Sequence, residues 1–113
     1  MKAKKEKINC PIEYAASVLG GKYKLRILYA LTKEQPKRFK VLEREIAGIS
    51  ATMLTTQLRE LEADGLIGRA VFATVPPTVE YRLTEFGMTI LPMMEEMKKW
   101  GLEHRGRGLV ASS

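Results

Sequence analysis

Four side chains between positions 52 and 59 have the types and spacing of a face that reads DNA. Thr52, Thr55, Thr56 and Arg59 fall at i, i+3, i+4 and i+7, which on a helix is one side. Threonine hydroxyls and methyls can meet phosphates or thymine, and an arginine can pair bidentately with guanine in the major groove. Threonine is a mediocre helix former, so propensity alone does not place three within five residues. A solvated face that happens to be Thr-rich is the plainer alternative. The second reactive position is Cys10, the one cysteine of the chain. It precedes Pro11, a residue suited to the first position of a helix. The positive end of a helix dipole, with lysines at 4, 5 and 7 nearby, favours the thiolate that oxidants attack. The alternative is a small, partly buried apolar residue with no such role.

The inventory excludes other chemistry. His104 is the single histidine and stands in a polar tail; no Ser/His/Asp or Cys/His arrangement, Gly-rich phosphate loop or cluster of metal ligands is evident. No catalytic residue, metal site or cofactor is expected. One cysteine cannot staple a fold, and no apolar run approaches the roughly 18 residues of a membrane span, so a cytoplasmic protein is expected.

The elements that must position the Thr/Arg face follow from periodicity. A first helix is expected over 11–19, with Ile12, Ala15, Ala16 and Leu19 on its apolar side, broken by Gly20-Gly21. A second runs from Lys22 to about Leu31, with Tyr23, Ile27, Leu28 and Leu31 inward and Lys22 and Arg26 on a polar flank. Phe39, Leu42 and Ile46 mark a short third helix, followed by a turn at Ala47-Gly48-Ile49. Ser50 then caps the helix that carries the Thr/Arg face, with Ile49 and Leu54 as a hydrophobic staple and Leu54, Leu58 and Leu61 inward. Two helices joined by a tight glycine turn, over 38–64, make a helix-turn-helix. Ser50 is counted with its DNA contacts.

After Gly65 the period changes to two. Residues 66–83 read as a β-hairpin turning at Pro76-Pro77, which in this order is a wing. Arg69, Thr74, Thr78 and Arg82 are its candidate phosphate contacts, with coverage of the sheet edge as the equal alternative for the arginines. Thr84 is expected to cap a last helix over 84–101, bent at Pro92, whose stripe of Phe86, Ile90, Met93, Met97 and Trp100, widened by Leu91 and Met94, is too broad for one small core. Ile12, Ile90, Met93, Met94, Met97 and Trp100 are therefore expected at a homodimer seam, ordinary packing being favoured over a ligand pocket. Residues 1–9 form a basic arm and 102–113 a polar tail of this single domain. The fold class is α+β, mainly α: a winged helix-turn-helix with a C-terminal dimerisation helix.

The 113 residues carry a formal net charge of +6. The two ends supply it, and 8–97 is balanced, yet within that span residues 22–44 hold eight basic and two acidic side chains while 45–97 hold three and eight. A basic segment beside an acidic one suits nucleic acid on one side. Lys22, Lys24, Arg38 and Lys40 are its candidate contacts to the DNA backbone.

Six separated stretches also resemble the HxlR-type winged helix-turn-helix regulators, relatives of the MarR type. They are Cys10-Pro-Ile-Glu-Tyr, Gly20-Gly-Lys-Tyr-Lys, Arg38-Phe-Lys-Val-Leu, Gly48-Ile-Ser, the run Met53 to Ile67, and Val75 to Thr84. The likeness covers about residues 10–101 and departs at Tyr23, where the family commonly has Trp. It implies a dimeric, cytoplasmic regulator that binds double-stranded DNA at a pseudo-palindromic operator, as repressor or activator. Because some members sense oxidants or quinones through a cysteine at this place, it also implies a redox role for Cys10. Two other readings use the same residues: a winged helix that contacts another protein, and a regulator that answers a small molecule without redox chemistry.

Overall fold

The computed structural model describes residues 7–108. Helix α1, Pro11–Leu19, begins with proline where its missing N–H has no helical partner to lose. Helix α2, Lys24–Lys33, is followed by a two-residue strand β1, Lys37–Arg38, and helix α3, Phe39–Glu45. Helix α4 covers Ala51–Ala63, strands β2 and β3 cover Ile67–Phe72 and Thr78–Leu83, a 3-10 turn covers Gly87–Ile90, and helix α5 covers Leu91–Gly106.

The core lies between α2, α3, α4 and the sheet. Ile27, Leu28 and Leu31 of α2 meet Leu42, Ile46 and Ile49, the inward Leu54, Leu58 and Leu61 of α4, and Ile67, Tyr81 and Leu83 from the hairpin. The residues of α2 and α4 in this set are those whose helical period points inward. The hairpin pairs antiparallel in one register, with Arg69 opposite Tyr81 and Gly68 opposite Arg82. Beyond the expected hairpin there is a third strand: β1 pairs antiparallel with β3, in the order β1-β3-β2. Gln35 extends that edge, its Oε1 accepting the Leu83 N–H at 2.6 Å. Two residues are too few for alternation to betray a strand.

The apolar side of α1 stays largely open: half-buried Leu19 packs on the core beside Val18, but no residue of this helix is buried and Ile12 is 81% exposed. The expectations for the last helix need correction. The last helix does not run unbroken from Thr84. Thr84 Oγ1 accepts the Gly87 N–H at 2.8 Å and so caps the 3-10 turn, after which α5 starts afresh at Leu91. Pro92 consequently sits in the first turn of α5, where proline is tolerated, rather than within a continuous helix. Helix α5 also continues to Gly106, taking in residues assigned to the polar tail. Finally, Ile90 and Met94 are each only 7% exposed and belong to the protomer's own core, which removes them from a seam. Lysines 2, 4 and 5 and residues 109–113 lie outside the described residues.

Candidate DNA-reading face

The reading face is built from its two ends. At its start the chain leaves α3, turns through Gly48 at φ +84°, a left-handed conformation that glycine adopts without Cβ strain, and enters α4. Ser50 Oγ accepts the Met53 N–H at 3.0 Å, satisfying one of the unpaired amides of the first turn. At its end Gly65, at φ +77°, allows a Schellman closure: the Gly65 N–H donates to Glu62 O at 3.0 Å and the Leu66 N–H to Leu61 O at 3.0 Å. With Leu54, Leu58 and Leu61 anchored in the core, the rotation of α4 about its axis is set.

That rotation exposes Thr52, Thr56 and Arg59 and leaves Thr55 half-buried on the flank. The hydroxyl of Thr55 donates to Ala51 O at 2.9 Å and that of Thr56 to Thr52 O at 3.1 Å. Both hydroxyl protons are therefore engaged within the helix. What these residues present outward is a methyl group and an oxygen that can accept, which suits a thymine methyl or a base amino group better than a phosphate. Arg59 is exposed at the C-terminal end of the row and supplies the charged donors.

The basic segment divides into two classes. Lys22, Arg38 and Lys40 are exposed, and the nearest carboxylates to Arg38 and Lys40, Glu80 at 3.7 Å and Glu43 at 3.8 Å, form pairs too loose and too wet to fix them. Lys24 is different and corrects the expectation placed on it. It is 3% exposed and its Nζ lies 2.6 Å from Glu60 Oε1, tying α2 to α4. A buried lysine in such a pair is not available to phosphate. Lys37, not singled out from sequence, is likewise buried, 2.9 Å from one oxygen of Glu45 and 3.1 Å from the other. The charge of residues 22–44 thus overstates what reaches the surface.

The hairpin register separates the two wing arginines. Arg69 shares a face with Tyr81, toward α4, and its Nε lies 3.7 Å from Glu62. Arg82 alternates with Tyr81 and projects from the other face, so the two do not line one strip. Between Ala70 and Val79 there is no charged side chain. Thr74 and Thr78 bond to each other at 2.7 Å, and the Thr74 hydroxyl also lies 2.6 Å from Pro76 O, so both spend their hydroxyls closing the tip. Burial raises the Tyr81 hydroxyl above its ordinary pKa, with Arg69 opposing that shift. Among the described residues no group of three or more potential metal ligands occurs, and no helix is long and apolar enough to cross a membrane.

This arrangement, a helix-turn-helix with an outward Thr/Arg helix followed by a hairpin wing that a short strand ahead of the motif extends to three strands, has its counterpart among known proteins: residues 18–108 match the HxlR-like helix-turn-helix family. The chain belongs to that family. The HxlR-like proteins are DNA-binding transcription regulators, not enzymes. The HTH-type transcriptional regulator YybR of Bacillus subtilis is 48% identical over 99 residues, 88% of this chain and 78% of YybR. Among solved structures, the redox regulator HypR in its reduced form superposes with a TM-score of 0.82 at 44% identity, covering 92% of this chain and all of that one. The reduced form of the regulator YodB from B. subtilis gives a TM-score of 0.71 at 37% identity, over 82% of this chain and 95% of YodB.

Proposed function

We propose that this HxlR-like chain acts in the cytoplasm as a homodimer on a pseudo-palindromic operator. The two α4 helices enter successive major grooves about 34 Å apart, and the wings lie on the flanking backbone. The observation that carries this is the exposed row Thr52, Thr56 and Arg59 on a helix whose opposite side is locked into the core. Thr55 flanks the row and Ser50 opens it. Lys22, Arg38 and Lys40 hold phosphates, joined by Arg69 or Arg82 from one face of the wing or the other. Apolar exposure at the two chain ends supports the dimer: Ile12 on α1, and Met93, Met97 and Trp100 on α5, with Trp100 69% exposed. A second copy would cover them.

Cys10 is the proposed switch. It is exposed at the N-cap of α1, and HypR, named a redox regulator, shares this fold. With one cysteine per chain, Cys10 can be oxidised to a sulfenate, to a mixed disulfide with a small thiol, or to a disulfide that joins two chains, and the last needs no further thiol. An oxidant such as diamide takes two electrons and two protons from two Cys10 thiols, leaving one S–S bond and its own hydrazine form. The test is a footprint on the DNA upstream of the protein's own gene, with and without diamide. Wild type should protect a site and leave it on oxidation, with a diamide-dependent dimer band on non-reducing gels, whereas Cys10→Ser should stay bound. Equal release of the Cys10→Ser protein would remove this thiol from the mechanism.

A further inference from the structure

Helix α2 touches the helix-turn-helix at a point that neither charge nor exposure explains. Arg26 lies within the basic segment and is exposed, the usual description of a phosphate contact. Its Nη1 nevertheless donates to Ala47 O at 3.2 Å, and three residues earlier the Tyr23 hydroxyl donates to Gly48 O at 3.2 Å. These are successive carbonyls of the turn between α3 and α4. The Arg26 guanidinium carbon also lies 5.6 Å from the centre of the Tyr23 ring, so the two side chains brace each other.

A left-handed glycine turn leaves its carbonyls without helical partners, and its conformation is otherwise free to vary. Here both carbonyls are fastened to the start of α2, one by its N-cap residue Tyr23 and one by Arg26, and the Ile27, Leu28 and Leu31 of that helix are wholly buried. Two residues past Gly48 stands Ser50, the cap of α4. On the same α2, Lys24 holds Glu60 near the far end of α4. Helix α2 thus holds the reading helix at its entry and close to its exit.

We infer that Tyr23 and Arg26 are positioning residues for DNA recognition: they fix the angle at which α4 leaves the turn and do not themselves neutralise phosphate. The inference rests on the reading of α4 as the helix that enters the groove. A phosphate contact contributes to every duplex and to the salt dependence, with a slope near −0.9 per phosphate. A positioning residue contributes where α4 must fit base edges.

The experiment uses the full-length protein and two labelled duplexes, one enriched by wild type from a random pool and one of unrelated sequence, titrated across a salt series. Arg26→Met and Tyr23→Phe should each weaken binding to the enriched duplex, Arg26→Met by about tenfold or more, leaving the unrelated duplex and the salt slope as in wild type. Equal weakening on both duplexes by Arg26→Met, with a slope shallower by about 0.9, would make Arg26 a phosphate contact and overturn the inference. Unchanged discrimination in both variants with only a lowered Tm would reduce the pair to a structural role and overturn it as well. Tyr23→Phe removes one hydroxyl and no charge, and it keeps the test decisive if Arg26→Met fails to fold. A wild type that enriches no duplex would defeat the reading of α4 itself, an outcome distinct from either of these.

Discussion

At the scale of single residues, formal charge and available charge come apart. Lys22 and Lys24 are neighbours in the same motif, yet one is exposed and the other is a buried partner of Glu60. Replacing Lys24 with Met leaves Glu60 without its cation in a partly dry setting, and should cost about 1–3 kcal/mol in chemical denaturation. Replacing Lys22 with Met should leave stability within about 0.5 kcal/mol and flatten the salt dependence of DNA binding by about one phosphate. The reverse assignment of the two effects would contradict the structure. Nothing in the sequence separates these two lysines, because their difference lies in where residue 60 arrives after a turn and two helices. The Thr/Arg face is legible for the opposite reason: its geometry is local, set by a helix period and by the leucines behind it. The engaged hydroxyls of Thr55 and Thr56 are not legible, since back-bonding to the preceding turn depends on a rotamer.

Elements with strong local signals lie where the sequence points. Pro11 opens α1, Ser50 opens α4, and Gly48 and Gly65 mark the two turns around the reading helix. Ser50→Ala should cost about 1 kcal/mol of stability by removing an N-cap, and thermal denaturation checks it. The boundary at 84–92 departs from expectation because a capping threonine and a continuing apolar stripe look alike whether a 3-10 turn or an α-helix follows. The one local signal for the break is Pro92 itself, as a first-turn proline. In the hairpin, Tyr81 has a raised pKa through burial. A hydroxyl whose folded pKa lies above its unfolded value near 10 gives stability that is complete below pH 10 and is lost as pH rises through the folded value. Wild type should therefore destabilise more steeply above pH 10 than Tyr81→Phe, as followed by urea midpoints. Parallel curves would show that Tyr81 does not titrate within the fold.

For the whole molecule, the net charge of +6 is a weaker guide than its distribution, and its distribution weaker than the ion pairs that consume part of it. The apolar faces of α1 and α5 make the corresponding point for assembly. A stripe of six candidates reduces to Ile12, Met93, Met97 and Trp100 once Ile90 and Met94 are assigned to the protomer's core. If the chain is the proposed dimer, sedimentation velocity should find wild type dimeric and Trp100→Glu monomeric with unchanged helical content, and a Trp100→Glu dimer would move the seam elsewhere. A monomer would also bind a two-half-site duplex more weakly than wild type, since the second contact would no longer be tethered to the first. Helix α4 is proposed to read bases from its outward side. Enrichment from a random duplex pool by wild type and by Arg59→Ala tests it most directly. Wild type should yield a two-fold related motif, and Arg59→Ala the same motif with preference relaxed by about 1–3 kcal/mol at one position of each half; identical motifs from the two proteins, or no motif from wild type, would contradict it.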